Sequence, residues 1–513
     1  MQKGSQVMKR VRKTALLLAA MMLLSVFIVA CTDKNDNNQK GNWSLGEGEG
    51  REFTPDDLPD DLNFNGYQLD ILHRGADNLT LNECVGSEDP VENPLPQKVY
   101  ERNLRVQTRL NCKLNWLPSG SGGLSETTSE MTQALLQLQW YDFILTTNNT
   151  IVSQGHNQLL CDLSYTKYIN LEQPWWWNNV FEEMSYDGET INYICGDLNV
   201  TNIEKMSALY FNFDHVKNYL QMEPSDFYKL VDEKKWTIEK FMTLSNVWID
   251  TNINPNGANA KDQDDIFSFP YVSGETINQF LLSTKIAENL YTRNDNGTVE
   301  FHLEQNEDIV RLVDLMRKLI HETTGAWNRT ATPSPFDSGI IEEFANGNYI
   351  FLPQRLTAVS STAMREMQTD FGILPYPLLD EGDEYVSDIQ SSSTCICIPI
   401  IVEATDEDAF DRSCAVIEAL GAEAYRRTTE VFYEMALKNR YTRDDDGRRM
   451  IDIIYNSANK SFLVEYSGQS NNIYGAMNTA VMNNNSVVPA FESGNNAAMN
   501  KLNDFIIRTK RSS

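Results

Sequence analysis

The chain has 513 residues and carries 43 Lys and Arg against 72 Asp and Glu, for a formal net charge of −29 at pH 7. Nucleic acid is excluded as a partner of such a surface, because phosphate binding needs a basic face. The length is too great for one hydrophobic core and predicts two or three domains.

The N-terminus has the layout of a secretory signal. A basic stretch at residues 9–13 precedes an apolar run over residues 14–30, which ends in a small residue before Cys31. The run is shorter than the roughly 20 apolar residues that a spanning helix needs. The small residue followed by cysteine resembles a bacterial lipobox, which implies that residues 1–30 are a lipoprotein signal peptide and that Cys31 is lipidated. An uncleaved N-terminal anchor is the alternative, and either one places the body of the chain outside the cytoplasm, at the cell membrane.

Residues 31–63 are predicted to form a disordered tether. The segment is polar, rich in glycine and acidic residues, and it contains Pro55 and Pro59. Such a composition buries too little apolar surface to offset the entropy of ordering the chain. A flexible chain of this length would hold the body roughly 30 Å from its anchor.

From residue 64 the pattern alternates between strands and helices. Residues 67–73 are typical of a strand, a helix-like segment follows from Pro94, and residues 140–145 predict a second buried strand. This alternation predicts an α/β fold with a mostly parallel sheet. Ligands bind off the carboxyl ends of strands in such sheets. The candidate ligand-binding residues at these ends are Arg74, Thr147 and Asn148.

No motif for catalysis, cofactor binding or a closed metal site is found. The seven cysteines after Cys31 are scattered and odd in number, which is not a small-domain disulfide framework. Cys395 and Cys397 alternate along an apolar run, and buried thiols are favoured over a metal pair. The segment HETTG at 321–325 lacks the second histidine of a zinc-protease helix, and the Gly-x-Ser-x-Gly elbow is missing. We therefore expect no cofactor and no catalytic residues, although the many acidic residues leave a carboxylate pair open.

Short motifs spread over most of the chain resemble those of the extracellular solute-binding proteins of ABC importers, family 1, a largely carbohydrate-binding group. Their order along the chain carries the resemblance more than any one of them. The motifs are YERN (100–103), YDFIL (141–145), PWW (174–176), DGETINYICGD (187–197), LYFN (209–212), EKKWTIEKF (233–241), FANGNYIFL (344–352), DFGILPYP (370–377) and the serine-rich turn with its strand at 391–402.

The resemblance implies an α/β, two-lobed periplasmic-binding-protein-like fold of type II. Its lobes would be joined by a multi-strand hinge, and the ligand cleft would lie between them. The expected crossings between the lobes lie near residues 193–199, 350–356 and 394–400. The expected first lobe consists of residues 64–195 and 355–395. The expected second lobe consists of residues 196–354 and 396–513, including the C-terminal helices.

The implied function is capture of a sugar or oligosaccharide by a lipid-anchored monomer, which delivers it to the permease of an ABC importer. Two alternatives remain open. The first is a binding protein for a peptide or another non-sugar solute. The second is a surface glycosidase, which needs two carboxyl groups about 5–10 Å apart across the cleft.

Many members of this group carry a calcium loop at a position that corresponds here to residues 250–265. Calcium binds to several carboxylates, with a bidentate acid at the twelfth position of the loop. Neutral asparagines occupy the first positions in this sequence, and Gln263 occupies the twelfth. We expect a hydrogen-bonded turn that has lost its metal, with weak calcium binding as the alternative. The candidate ligands would be Asn252, Asn254, Asn256 and Asp262.

Three adjacent tryptophans follow Pro174. Proline suits the first position of a helix, which predicts that Trp175, Trp176 and Trp177 lie in its opening turn. Neighbouring helical residues point about 100° apart, so one packed face does not hold all three rings. Sugar rings stack their apolar C–H faces on aromatic planes. We expect one of Trp175 and Trp176 to line the cleft and the other to be buried, with packing of all three as the alternative.

In the second lobe, comparable candidates are Tyr271 in the segment SFPYVSG and the pair Gln354 and Arg355 after the strand NYIFLP. The side chain of Arg355 has two possible roles. It contacts the ligand, or it forms a salt bridge between the lobes.

Overall fold

A computed structural model describes residues 54–75, 80–89, 94–120, 124–147, 157–251, 261–286, 290–303, 306–329, 338–432 and 445–512. All of them belong to one unit, Arg51–Ser513. Among these residues, no helix has both the length and the apolar character required to cross a membrane.

The strands of the described ranges are short. They are β1 (Tyr67–Arg74), β2 (Cys112–Ser119), β3 (Phe143–Thr147), β4 (Ser207–Asn212), β5 (Trp248–Ile249), β6 (Ile266–Phe267), β7 (Phe269–Tyr271), β8 (Tyr291–Arg293), β9 (Val299–Phe301), β10 (Ala326–Asn328), β11 (Phe351–Arg355), β12 (Phe371–Leu374), β13 (Ser387–Asp388), β14 (Thr394–Cys397) and β15 (Ala458–Asn459).

The α-helices of the described ranges lie between and after these strands. They are α1 (Leu95–Leu110), α2 (Leu124–Leu136), α3 (Phe181–Met184), α4 (Phe213–His215), α5 (Pro224–Asp232), α6 (Ile238–Leu244), α7 (Thr276–Leu282), α8 (Glu307–His321), α9 (Ser338–Ala345), α10 (Thr362–Glu366), α11 (Ile400–Thr405), α12 (Glu407–Glu423), α13 (Asp445–Asn456), α14 (Phe462–Glu465), α15 (Gly475–Met482) and α16 (Val488–Ser512).

The first sheet has the strand order β14-β3-β1-β2. β1 runs parallel to β2 and to β3, while β14 runs antiparallel to β3. Helix α1 covers this sheet, and it buries Val99 and Val106 on its inner face at helical spacing. The helix ends at Asn111, whose left-handed backbone (φ 46°) turns the chain directly into β2. The predicted α/β character of this region is confirmed.

The second sheet has the order β11-β4-β12, and both pairings are antiparallel. Every residue of β4 is buried, because the strand lies at the centre with packing on both faces. Aromatic rings fill this core, with Phe211 stacked on Phe227 at a centroid distance of 4.9 Å. The two sheets are the centres of the two lobes of an α/β fold.

Two segments lead from one sheet to the other. We call residues 196–206 the first crossing segment and residues 389–393 the second crossing segment. The first leads into β4 of the second sheet, and the second leads into β14 of the first sheet. The chain passes from the first sheet to the second once more between α12 and α13, because α12 packs on α1 and α13 packs on β12.

The strand pairings differ from the expected lobe boundaries. β12 lies within the range 355–395 assigned to the first lobe, yet it pairs with β4 of the second sheet. α12 lies in the range assigned to the second lobe, yet it packs on α1. The expected crossing at 350–356 is instead β11, which pairs with β4 along its whole length. A continuous apolar run identifies a buried strand, but it does not say which sheet the strand joins.

Residues 54–62 are packed on the body, although we expected them to belong to the disordered tether. Leu58 is buried in the core. The side chain of Asp56 is only 3% exposed and pairs with Arg109 at 2.7 Å and with Arg426 at 3.2 Å. Burial acts to raise the pKa of Asp56, but the hydrogen bond and charge of Arg109 and the charge of Arg426 together hold it below its usual value. A short acidic segment thus acquires structure from two arginines that are distant in sequence. We call it the N-terminal strap.

The strap gives a stability prediction. Asp56→Ala should lower the free energy of unfolding by about 1–3 kcal/mol, because both arginines lose a charged hydrogen-bond acceptor. Urea denaturation would measure the change. The matched control is Asp60→Ala, which removes an exposed carboxylate of the same strap and should leave the midpoint unchanged. Equal midpoints for Asp56→Ala and the wild type would mean that the strap contributes nothing to folding.

Candidate functional site

The carboxyl ends of β1, β2 and β3 form one edge of the first sheet, and β14 begins at the same edge. Arg74 lies opposite Ser119, and Thr147 lies opposite Thr394. Parallel strands bring their carboxyl ends together, so this is the expected place for ligand contacts. The candidates Arg74 and Thr147 both lie at this edge, Arg74 half-buried and Thr147 fully buried. The candidate Asn148 lies outside the described residues.

Two crossing segments meet this edge through the carbonyl group of Ser392. That oxygen accepts a hydrogen bond from Arg74 at 3.2 Å and another from the ammonium group of Lys205 at 2.9 Å. Burial lowers the pKa of Lys205, and the nearby positive charge of Arg74 lowers it further. The first sheet and both crossing segments are therefore joined at one point.

A buried acid lies close to these two cations. Glu83 is 1% exposed, and one of its carboxylate oxygens accepts a hydrogen bond from Thr201 in the first crossing segment at 3.3 Å. Burial raises the pKa of Glu83, while the charges of Lys205 and Arg74 oppose that rise. Two positive charges and one negative charge meet here, so Glu83 offsets one of the two cations, and this edge offers hydroxyls beside a partly compensated positive charge.

The edge of the second sheet faces the same crossing segments. Arg355 ends β11, is 4% exposed, and donates to the carbonyl oxygen of Lys205 at 2.7 Å. Its guanidinium also pairs with Asp388, with both terminal nitrogens 3.2 Å from one carboxylate oxygen. Of the two possible roles of Arg355, the observed geometry is the ion pair at the junction. Lys205 thus contacts the second crossing segment through its side chain and the second sheet through its backbone.

Gln354 and Tyr271 lie near this ion pair. Gln354, Val272 and Glu275 line a cavity of roughly 10 Å³, which has room for about one water molecule. Glu275 is 3.9 Å from Arg355, and Tyr271 ends β7 beside this cavity with 6% of its surface exposed. The structure therefore brings the three second-lobe candidates into one region.

Trp175 and Trp176 are both buried, at 0% and 3% exposure, although we expected one of them to line the cleft. They do not begin a helix. The segment is a turn followed by an isolated bridge, in which Trp176 pairs with Gly196. Asp197 donates its backbone N–H to the carbonyl of Trp175 at 2.9 Å, and Trp177 donates to that of Cys195 at 3.2 Å. The tryptophan segment thus lies against the start of the first crossing segment.

Two glycines make room for the indole rings. A Cβ atom at Gly196 would lie 2.1 Å from the carbonyl oxygen of Trp175, so only glycine allows this approach. A Cβ atom at Gly421 of α12 would lie 2.8 Å from Trp175 and 3.0 Å from Trp176. The rings of Trp175 and Trp176 are held between α12 and the crossing segment, which explains why both are buried.

Glu418 of α12 is fully buried beside these rings. It accepts a hydrogen bond from the indole N–H of Trp176 at 2.8 Å. Burial raises the pKa of Glu418 to about 7, although the Trp176 hydrogen bond opposes the rise. No spacing rule in the sequence singles out this acid, because its partner lies more than 200 residues away in the chain.

The candidate calcium loop is only partly described. Asn252, Asn254 and Asn256 lie outside the described residues. Asp262 accepts a hydrogen bond from the backbone N–H of Asp264 at 3.0 Å. The carboxylate of Asp265 accepts from Trp248 at 2.8 Å and from the N–H of Thr251 at 3.1 Å. Within the described ranges, no group of three or more His, Cys, Asp or Glu is placed to hold a metal ion.

Sequence reasoning missed several residues that join the lobes. Lys205, Glu83 and Asp388 belong to no recognised motif, and charged residues are too common in this chain to select by eye. One signal was present in the motif YERN. Its Arg102 is fully buried and donates to the carbonyl oxygen of Glu83 at 2.8 Å and to that of Leu198 at 3.5 Å. An arginine on the inner face of an otherwise apolar helix is rare enough to suggest a special contact.

Comparison with known proteins identifies the fold. The sequence matches no family model and no curated protein. The structure is similar to the sugar-binding protein MalE from Xanthomonas citri, with a TM-score of 0.51 and 11% identity, covering 86% of this chain and 98% of that one. It is also similar to an ABC substrate-binding protein from Listeria monocytogenes in complex with cycloalternan, with a TM-score of 0.51 and 10% identity, covering 86% and 98%.

A third similar structure is UgpB from Mycobacterium tuberculosis in complex with glycerophosphocholine. Its TM-score is 0.52 at 11% identity, and the match covers 85% of this chain and 98% of that chain. The chain therefore has the two-lobed α/β fold of ABC substrate-binding proteins, as the resemblance implied.

Glu418 gives a pH prediction. Its pKa is higher in the folded chain (about 7) than its ordinary value of 4.5. The folded state then binds more protons, so this group's contribution to stability is full below about pH 4.5 and is lost as the pH rises through 7. Glu418→Gln cannot ionise, and it should be more stable than the wild type at pH 8 by about 1–3 kcal/mol.

Melting temperatures at pH 4.5 and pH 8 would measure this difference. At pH 4.5 the variant and the wild type should melt together, because the glutamic acid is then neutral as well. Glu492→Gln, which changes an exposed acid, is the control and should follow the wild type at both pH values. A variant less stable than the wild type at pH 8 would show that the carboxylate is accommodated as an anion.

Proposed function

We propose that this protein is an extracytoplasmic solute-binding protein that captures a sugar or oligosaccharide between its two lobes and delivers it to an ABC importer. The proposal rests on one observation, which is that an edge of the first sheet and an edge of the second sheet both lie against the crossing segments. The edge of the first sheet bears Arg74 and Thr147, and that of the second bears Gln354 and Arg355. This arrangement suits a ligand held between lobes that close on it.

The chemistry of the first edge supports a neutral polyhydroxylated ligand. Ser119, Thr146 and Thr147 supply hydroxyls at the ends of two strands, and Asn148 follows in sequence. Among the charged groups at the junction, Asp388 pairs with Arg355, and the charge of Glu83 offsets part of the positive charge at the first edge. A sugar would exchange hydrogen bonds with the hydroxyls and amides and would bring no charge that needs a partner. The proposed contacts are Arg74, Thr147, Asn148, Tyr271 and Gln354.

Trp175 and Trp176 take another role in this proposal. Their rings pack between α12 and the first crossing segment, so they fix the place where the hinge begins. The stacking surface for a sugar would come from other aromatic residues, of which Tyr271 is the candidate near the junction. Arg355 likewise holds the crossing segments together while Gln354 beside it contacts the ligand.

A non-sugar solute is the second candidate, because UgpB has the same fold and is solved with glycerophosphocholine. An enzyme is not proposed. A glycosidase would need two free carboxyl groups across the junction, and Asp388 there is tied to Arg355. The proposed partners are a carbohydrate, the permease subunits of the importer and the membrane, which the monomer reaches through a lipid on Cys31.

A ligand screen by thermal shift tests the binding proposal. At a ligand concentration of about 100 times Kd, binding stabilises the folded state by about 2.7 kcal/mol. Neutral oligosaccharides should raise the melting temperature, and Arg74→Gln should reduce that shift when each protein is compared with its own melting temperature without ligand. Arg105→Gln, an exposed change on α1 remote from the sheet edge, is the control and should keep the full shift.

The same screen includes glycerophosphocholine and short peptides. A shift with either of these and none with any oligosaccharide would replace the sugar by a non-sugar solute. Release of reducing sugar from an oligosaccharide by the purified protein would contradict its role as a binding protein.

The lipid anchor is tested by Cys31→Ser. The variant should move from the membrane fraction to the soluble fraction without a change in melting temperature, because the thiol is the proposed site of lipidation and lies before the N-terminal strap. Fractionation followed by immunoblotting measures the distribution. A variant that stays with the membrane would contradict the lipoprotein assignment.

A further inference from the structure

The strand β14 has a neighbour on each side. On one side it pairs with β3, and on the other it bridges to the segment that precedes the first crossing segment. In this bridge Ile194 donates its N–H to the carbonyl of Ile396 at 2.9 Å, and Ile396 donates to Ile194 at 2.8 Å. This double hydrogen bond fixes the antiparallel register on both sides of the bridge.

The register places Cys195 directly opposite Cys395. Since Ile194 and Ile396 are the hydrogen-bonded pair, the next pair along is a non-hydrogen-bonded one. In such pairs the Cα atoms lie about 4.5 Å apart, and the side chains are on the same face of the sheet. Disulfides form at Cα separations of about 4.4–6.8 Å, and the typical separation of such a pair falls within that range. In the structure both residues are free thiols, and the thiol of Cys195 lies 3.9 Å from the sulfur of Met184.

Independent contacts place the two thiols in one environment. Both are buried, at 1% and 2% exposure. The same buried ion pair, Lys460 and Glu465 at 3.2 Å, acts electrostatically on both thiols. Cys397, the next cysteine along β14, lies opposite Tyr193 instead and has no cysteine across from it.

We propose that Cys195 and Cys395 form a cross-strand disulfide that ties together the two crossing segments where they meet the first sheet. Cys195 immediately precedes the first crossing segment, and Cys395 follows the second with Thr394 between them. The bond would fix the first-sheet ends of both connections at the same point. The proposal is independent of which ligand the protein binds.

The chemistry is a thiol–disulfide exchange with an external disulfide such as oxidised glutathione. One protein sulfur attacks the external disulfide and forms a mixed disulfide with one glutathione, releasing the other. The second protein sulfur then attacks this mixed disulfide and releases the remaining glutathione as a thiol. The two protein thiols lose two electrons and two protons, and the external disulfide becomes two thiols. Burial raises the pKa of both Cys195 and Cys395, which slows attack in the closed fold. The reaction therefore proceeds during folding or when the junction opens.

The test uses the full-length protein at a urea concentration below its unfolding midpoint, with oxidised glutathione as the oxidant. After the reaction the protein is fully denatured, remaining thiols are blocked with a maleimide, and peptides are mapped by mass spectrometry without reductant. We expect a peptide pair joined through Cys195 and Cys395, two fewer blocked thiols, and a melting temperature a few degrees higher than that of the reduced protein.

Two variants separate this pair from the other cysteines. Cys395→Ser should abolish the cross-link and the rise in melting temperature, while Cys397→Ser, on the same strand, should keep both. Alkylation of both Cys195 and Cys395 in the oxidised wild type would overturn the proposal. A bond from Cys195 to any other cysteine would overturn it as well.

Discussion

The junction between the lobes depends on the ion pair of Arg355 and Asp388. Both side chains are buried, and an unpaired charge at this depth would cost several kcal/mol. Arg355 ends a strand of the second sheet and Asp388 precedes the second crossing segment, so the pair is complete only when these two parts lie together. The same guanidinium holds the backbone of Lys205. One arginine therefore fixes the positions of both crossing segments relative to the second sheet.

The first sheet holds the crossing segments differently, through close backbone packing and one buried arginine. Gly196 lies against the tryptophan segment because it has no side chain, and Arg102 reaches from α1 to the carbonyl of Leu198. These contacts give two of the sequence motifs, YERN and PWW, a structural role. Both motifs lie where the first crossing segment leaves the first sheet, and their large buried side chains make this end of the connection rigid.

The sequence predicted elements better than it predicted their partners. Residues 67–73 were expected to form a strand and lie within β1, and the helix expected from Pro94 is α1, because apolar periodicity reports burial directly. The strap at residues 54–62 was missed because its order comes from Arg109 and Arg426, which composition does not reveal. The tryptophans were expected to divide between core and cleft because a helical turn was assumed. The segment is instead a turn followed by an isolated bridge, and it lies between α12 and the first crossing segment, where both neighbouring rings are buried.

The candidate site could be located from sequence only at the strand ends, because that rule follows from sheet topology. The charged groups of the junction could not, since each has its partner on a distant segment. They also bear on how the lobes close. Among the described residues, His73 Nε2, Glu83 Oε2 and Ser119 Oγ are buried at this edge and find no hydrogen-bond partner. Leaving such an atom unpaired costs about 1–3 kcal/mol. A partner that reached these atoms would stabilise the arrangement that binds it in proportion to the hydrogen bonds gained, and such differential stabilisation is what couples binding to a change of arrangement.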